Sequence, residues 1–334
     1  MSGAFRATGR ATAEGRGLLS LDQDAALLLL VLGAAAGMAW LAGNYPAALP
    51  IWAPWEFSWP EFCAAALALC WYARGLTLSA AAERPVVARR ISFVAGVALI
   101  YAVLQTHFDY MAQHMFFLNR LQHLGMHHLG PFLIALGWPG AMIGRGMPAG
   151  LRRLVTHPKL LRVLYVVQHP VIAGAVFVGL IDVWLIPAVH FKAMIDHRLY
   201  AVMNWSMVID GLLFWFLILD PRPSPPARVS FAARMVTVIA VMFPQILLGS
   251  YLTFTSTDLY TFYDLCGRIF PTLGALNDQH IGGLIVWIPA SMMSSAAFML
   301  TLNHVRIQEE SRPLEEMTEA EREMAVLASR WTGR

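Results

Sequence analysis

Stretches of about 20 mostly apolar residues recur along almost the whole chain, and this recurrence constrains the fold more than any other feature. At 1.5 Å per residue, an α-helix of that length crosses the roughly 30 Å hydrocarbon core of a bilayer. Eight such stretches cover residues 24–43, 59–73, 91–107, 122–143, 163–187, 199–219, 235–255 and 281–303. The sequence therefore predicts an all-α, polytopic membrane helix bundle with about eight transmembrane helices.

Composition and charge placement support this prediction. Hydrophobic residues make up 57% of the 334 and charged residues only 13%, which is unusual for a soluble globular domain. Of the 24 Lys and Arg residues, 20 fall in the two tails and in alternate connections between the apolar stretches. The positive-inside rule then places both termini in the cytoplasm. The net charge of +3 reflects this topology. We therefore expect the chain to lie in a lipid bilayer and not to bind nucleic acid.

The first apolar stretch has a second interpretation. Arg6, Arg10 and Arg16 precede it, as in a signal peptide. We favour a retained helix because Asp22 and Asp24 stand in front of the stretch and no small-x-small cleavage site follows it.

The three cysteines are too few for a disulfide framework. Cys63 and Cys70 are seven residues apart on one predicted helix and cannot pair with each other. We expect Cys266 to be a free thiol in the last outer loop, and a bridge to Cys63 stays open as the alternative.

Histidines concentrate at the end of the bundle that this topology places outside. Eight of the eleven lie there, namely His107, His114, His123, His127, His128, His190, His197 and His280. A single interfacial His is most often an amphipathic anchor. Clustering of eight on one side is less easily explained in that way and favours a ligand role.

Spacing suggests which of these side chains would bind a metal. His123 and His127 are four residues apart and share one face of an α-helix, whereas His128 is turned about 100° away. Thioether and imidazole ligands together suit a soft ion, above all Cu(I), although Met also fills gaps in irregular bundles. The predicted metal ligands are His123, His127, His114, His280, Met111 and Met115.

Two further polar residues lie inside apolar stretches. Asp210 lies near the middle of the sixth stretch, where a carboxylate costs about 2.5–3.5 kcal/mol on insertion scales and should face protein or water. His169 lies in the inner part of the fifth stretch. Both are functional candidates, and hydrogen bonding that only stabilises the bundle is the alternative for Asp210.

Several segments together resemble one protein family. The last apolar helix begins "NDQHIGGLIVWIP", and earlier segments read "WEFSWPEFCAAALALCWYARGL", "LQHLGMHHLGP", "HPVIAGAVFVGLIDVWLIP" and "FPQILLGSYLTF". In this order they are similar to the CtaG family of cytochrome c oxidase (caa(3)-type) assembly factors. His123, His169, Asp278, Gln279 and His280 match the family's pattern.

The chain also departs from that pattern. Leu185 replaces a His in the family's Trp-His-x-Pro, and Tyr200 and Asn204 stand where many members carry a His pair. A further family His corresponds to Asn119 or Arg120. These losses put an intact family metal site in doubt, unless His127, His128, His190 or His197 compensates.

The resemblance implies a domain division and a function. The expected regions are a cytoplasmic tail (1–23), an extra N-terminal helix (24–43), a seven-helix CtaG-like domain (55–304) and a second cytoplasmic tail (305–334). The implied function is that of a non-enzymatic assembly factor in the bacterial plasma membrane, which handles copper, as Cu(I), at the periplasmic face. Its expected partners are a haem-copper oxidase subunit and a periplasmic copper chaperone. A copper permease and a haem-binding membrane oxidoreductase remain the alternatives.

Overall fold

The computed structural model describes residues 4–310 and Met324, with side chains from Gln23 onward. All regular secondary structure in these residues is helical, which confirms the predicted all-α class there. The α-helices are α1 (Ala4–Asn44), α2 (Trp59–Leu78), α3 (Val87–Gln105), α4 (His107–Ala112), α5 (Phe116–His123), α6 (Gly130–Gly137), α7 (Gly140–Gly146), α8 (Ala149–Val155), α9 (Pro158–Val167), α10 (Pro170–Leu185), α11 (Pro187–Ile195), α12 (His197–Ile218), α13 (Phe231–Phe254), α14 (Phe262–Cys266) and α15 (Ala275–Glu310). The predicted C-terminal tail lies outside the described residues beyond Glu310, apart from Met324.

Among the described residues, five helices are long and apolar enough to cross a membrane. They are the Gln23–Asn44 part of α1, and α3, α12, α13 and α15. Helices α9 and α10 form a sixth span if they are counted together, although they meet at 73°. The chain is therefore a membrane protein with five or six candidate spans. The count of eight and the cytoplasmic side of both termini remain predictions.

Local sequence explains why two predicted spans are not among these helices. Helix α2 has sufficient length, but its first turn contains Pro60 and Glu61 and it carries Arg74, which forms an ion pair with Asp24 of α1. The helix over the predicted span 122–143 carries Gln122, His123, His127 and His128, which make it less apolar than the five, and it ends at Gly137 because Trp138 adopts a left-handed conformation with φ of 47°.

The helix that carries His123, His127 and His128 contains one π-helical turn. Helices α5 and α6 join through Leu124–Leu129 into a continuous helix, and the Gly130 N–H bonds to the carbonyl of Gly125, five residues back. Pro131 supplies the physical reason, because it has no N–H for the His127 carbonyl and its ring would collide with that oxygen in a regular α-helix. Widening the turn relieves that collision.

The close packing of α12 against this turn requires a glycine at position 211. Any Cβ at Gly211 of α12 would collide with the carbonyl oxygen of His127. The same region is walled by the buried aromatic side chains of Phe177, Phe214 and Trp215, and Phe177 and Phe214 stack with ring centroids 3.8 Å apart. The π turn is thus held against α10 and α12 in the interior of the bundle.

Candidate functional site

A small cavity lies beside the π turn, between α10, α12 and α15. Its volume is about 30 Å³, above the roughly 10–15 Å³ that a cavity needs to hold a single water molecule. We call it the histidine cavity. It is lined by Arg120, His123, Leu124, His127, His128, Ile181, Met207, Ile285 and Val286.

Two of its histidines belong to a buried hydrogen-bonded network. His127 Nε2 lies 3.1 Å from Asp210 Oδ2, and His127 Nδ1 lies 3.2 Å from His128 Nδ1. His128 Nε2 in turn lies 3.1 Å from Gln245 Oε1. Phe177 stacks on the His127 ring with centroids 4.2 Å apart, which restricts the orientation of that ring. The network runs across three helical segments, from α12 through the π turn to α13.

Donor and acceptor roles in this network follow from one fixed end. The Gln245 amide donates from Nε2 to the Val241 carbonyl, so its Oε1 accepts and His128 Nε2 must carry a hydrogen. A neutral His128 then accepts at Nδ1 from His127 Nδ1–H, and His127 Nε2 becomes an acceptor. Only a protonated Asp210 carboxyl completes this neutral arrangement. The network therefore holds one proton more than an ionised Asp210 with two neutral imidazoles would.

His123 and Arg120 line the same cavity, but their side chains lack the hydrogen bonds that His127 and His128 make. Both ring nitrogens of His123 are buried and have no hydrogen-bond partner, and the Nε of Arg120 has none either. Arg120 contacts the Asn119 side chain and lies over the Phe116 ring, with its guanidinium carbon 5.2 Å from the centroid. Unpaired buried polar groups are costly, so a polar ligand or an ion in this part of the cavity would be stabilised by them.

The predicted ligands on the neighbouring connection have other surroundings. His114 Nδ1 lies 2.8 Å from the Tyr110 carbonyl on its own segment. Met111 lines a separate apolar groove, and Met115 is fully buried in a cluster with Ala112 and Leu118. None of His114, Met111 and Met115 lines the histidine cavity.

Residues of the "NDQH" motif hold backbone segments together. The Asp278 carboxylate accepts from the N–H groups of Phe116 and Phe117, at 2.9 and 2.8 Å, and forms an ion pair with Arg268. Gln279 bonds to the backbone of Leu259 and Thr257. This motif therefore fixes the start of α5 relative to α15 and to the loop after α13.

The two remaining predicted residues with an imidazole are placed apart from the cavity. His280 Nε2 lies 2.8 Å from the Thr255 carbonyl. His169 is exposed and stands at the bend between α9 and α10, where its carbonyl accepts from the Ala173 N–H.

Four residues of the site were not among the predicted ones, namely Arg120, His128, Met207 and Gln245. The position of Pro131 four residues after His127 is the signal for the wider turn that brings His127 and His128 inward together. A Gln beside Pro244 inside an apolar stretch is likewise a buried polar residue in need of a partner.

Among the described residues, no three side chains of His, Cys, Asp and Glu are arranged to hold a metal ion together. The histidine cavity supplies a pair of converging imidazole nitrogens, an unpartnered third imidazole and the Met207 side chain. This donor set suits a soft ion, and a third ligand would have to turn toward the pair.

Comparison with known proteins covers most of the chain. Residues 70–306 match the family described as cytochrome c oxidase caa3 assembly factor (Caa3_CtaG). Uncharacterized proteins Mb0105 of Mycobacterium bovis and MT0111 of Mycobacterium tuberculosis are each 27% identical over 215 residues, which is 60% of this chain and 31% of theirs. Uncharacterized protein ML1998 of Mycobacterium leprae is 28% identical over 187 residues, 52% of this chain and 27% of its own. The chain thus covers less than a third of these relatives. No solved structure matches it.

Proposed function

Because this chain belongs to the family of cytochrome c oxidase caa3 assembly factors, we propose that it supports maturation of a haem-copper oxidase by holding Cu(I) in the histidine cavity. The ion is its cargo, received from a periplasmic copper chaperone and passed to an oxidase subunit. The proposed setting is the bacterial plasma membrane, with the cavity toward the arginine-poor, periplasmic side.

The observation that carries this proposal is the convergence of two imidazole nitrogens. His127 Nδ1 and His128 Nδ1 are 3.2 Å apart. With metal–nitrogen distances of about 2.0 Å, that separation corresponds to an angle of about 106° at the metal, close to tetrahedral. His123 has no hydrogen bond to fix its ring, so it can turn toward the pair, and Met207 adds a thioether.

Charge favours a monovalent ion at this position. The Arg120 guanidinium lines the cavity and opposes any added positive charge. Cu(I) between the Nδ1 atoms needs a lone pair from each, so the hydrogen on His127 Nδ1 must leave. His127 Nε2 takes up the proton of the Asp210 carboxyl, and the network loses one proton for each ion bound. Cu(I) for H⁺ leaves the net charge of the cavity unchanged, whereas a divalent ion would raise it.

Neither alternative function gains support from this site. A cavity of about 30 Å³ accommodates an ion, and not a porphyrin. A permease needs ligand steps that continue toward the arginine-rich end, and His169, the candidate there, is exposed at the bend between α9 and α10.

The proposal is tested by Cu(I) titration of the purified protein against a chromogenic chelator. The His127→Ala/His128→Ala variant should lose Cu(I) binding, and His123→Ala should weaken it about tenfold or more. His114→Ala is the matched control, because His114 is a neighbouring imidazole outside the cavity. Equal affinity in the parent and the double variant would refute the site.

A cellular experiment tests the role in oxidase maturation. Deleting the gene should lower the oxidase activity and the intensity of the absorption bands of the assembled enzyme. Both should recover when copper is added in excess. The His127→Ala/His128→Ala variant should reproduce the deletion, and the His114→Ala control should not. A deletion strain with normal oxidase at low copper would contradict the proposed function.

A further inference from the structure

A second and much larger cavity opens at the end of the bundle where α12 begins. Its volume is about 460 Å³, within the range of small-molecule sites. We call it the acidic cavity. Its polar and aromatic lining comprises Glu56, Phe57, Ser58, Trp59, Glu61, Asp109, Gln113, His197, Tyr200, Asn204 and Trp205.

Negative charge dominates this lining. Glu56, Glu61 and Asp109 bring three carboxyl groups to one cavity. Asp109 accepts hydrogen bonds from Tyr200 and Gln122 at Oδ1 and from Gln113 at Oδ2. Burial, together with the charges of Glu56 and Glu61, raises the pKa of Asp109 to about 6, against the hydrogen bonds from Tyr200 and Gln122 that lower it. The like charges are therefore in conflict, and a cation between them would relieve it.

Asn204 supplies an independent observation. It is 3% exposed, it lines the acidic cavity, and its Oδ1 has no hydrogen-bond partner. A buried carbonyl oxygen without a donor is costly, so an N–H group that reaches this atom would be stabilised by it. The rings of Phe57, Trp59 and Trp205 line the same space, and aromatic faces attract cations.

We propose that the acidic cavity binds an organic cation that carries a primary ammonium or guanidinium group. Its N–H groups donate to Asn204 Oδ1 and to the Glu56 and Glu61 carboxylates, while its apolar part contacts the aromatic rings. The volume is too large for a bare ion, and the described residues hold no three-ligand metal arrangement here. The cation is either a free small amine or a Lys or Arg side chain of a partner protein.

Binding should depend on pH in a defined direction. The ionised carboxylates favour the cation, so protonation of Asp109 as the pH falls through about 6 weakens binding. The other titratable groups that line the cavity with Asp109 are Glu56, Glu61, His197 and Tyr200. Protonation of the carboxylates or a positive charge on His197 acts in the same direction.

The test is calorimetric titration of the full chain in detergent with agmatine, which has an ammonium and a guanidinium group. Agmatine should bind. Tetramethylammonium, which has no N–H donor, should have an affinity at least about tenfold lower. The Glu56→Gln/Glu61→Gln variant and the Asn204→Leu variant should each lower the affinity for agmatine by about tenfold. Glu83→Gln is the matched control, since Glu83 is an exposed carboxylate paired with Arg145 at the far end of α2.

A second titration identifies the source of the cation. If an arginine-containing peptide competes with agmatine, the ligand is a protein side chain, and if only small amines compete, it is a free amine. The inference is overturned if agmatine does not bind the parent, if tetramethylammonium binds equally well, or if Glu83→Gln weakens binding as much as the cavity variants. Binding of Zn²⁺ or Cu(I) that depends on Glu56 and Glu61, without agmatine binding, would also overturn it.

Discussion

Asp278 and Phe116 are 162 residues apart in the chain, yet the Asp278 carboxylate accepts the Phe116 backbone N–H at 2.9 Å. It accepts the Phe117 N–H as well, so a side chain of α15 caps the first turn of α5. The helix that leads to the histidine cavity is thus held at its start by α15.

This cap leads to the first prediction. Asp278→Ala should destabilise the protein by about 3–5 kcal/mol, because it leaves Arg268 and two backbone N–H groups without their buried acceptor. Asp278→Asn keeps one acceptor oxygen and should cost less, near the 0.5–2 kcal/mol typical of a lost cap. Thermal unfolding in detergent measures both. Equal stability of Asp278→Ala and the parent would show that the cap is dispensable.

The second prediction concerns the pH dependence of copper binding. Each Cu(I) displaces one proton from the network of Asp210, His127 and His128, so affinity should rise about tenfold per pH unit and weaken toward pH 5. Cu(I) competition titrations at a series of pH values, with a chelator of known pH dependence, measure the slope. A slope of zero would show that the ion does not replace the shared proton.

The third prediction separates the carboxyl of Asp210 from its role as a hydrogen-bond partner. Asp210→Asn can still donate to His127 Nε2, but it has no proton to release and no negative charge to offset the ion. Cu(I) affinity should fall about 10- to 100-fold, as for other outer partners of metal ligands. Asp182→Asn is the control, because Asp182 lies on α10 and does not line the histidine cavity. The proposed charge exchange fails if Asp210→Asn binds Cu(I) like the parent.

The fourth prediction tests the close contact between α12 and the π turn. Gly211→Ala places a Cβ against the His127 carbonyl, and overpacking of this kind costs about 1–3 kcal/mol. Melting temperature and Cu(I) affinity should both fall. Gly179→Ala, at a glycine with open space around it, should change neither. If Gly211→Ala changed neither the melting temperature nor the Cu(I) affinity, the helices would separate there at no cost in stability.

The fifth prediction concerns topology. The three cysteines are free, and Cys266 is the exposed one, which agrees with the free thiol expected from the sequence. If the positive-inside assignment holds, a membrane-impermeant maleimide should label Cys266 in intact spheroplasts. Cys266→Ser is the control that excludes labelling of Cys63 or Cys70. Labelling of Cys266 only in inverted vesicles would reverse the assignment.

Helix content was predictable because apolar length is a local property. Helices α3, α12, α13 and α15 lie where the apolar stretches placed them, within a few residues at most ends. The number of spans was less predictable, because Trp138 and the bend at His169 interrupt apolar stretches through backbone geometry that hydropathy does not register.

The site was predictable only in part, for the same kind of reason. His123 and His127 line one cavity, as their i, i+4 spacing on one helix predicts. The pairing of His127 with His128 was missed because an ideal α-helix turns adjacent residues about 100° apart, and ring placement depends on side-chain torsions and on the widened turn. Asp210 and Gln245 meet this pair through tertiary contacts, which no local spacing indicates.

The π turn also affects how this chain should be aligned with its relatives. A turn closed by a bond to the fifth residue back contains one more residue than an α-helical turn. A relative with a regular helix here would reach the same point in space with one residue fewer. Between Arg120 and Pro131, equivalent imidazoles can therefore differ by one in sequence position. Structural superposition, and not sequence alignment alone, should decide which histidines of this family correspond.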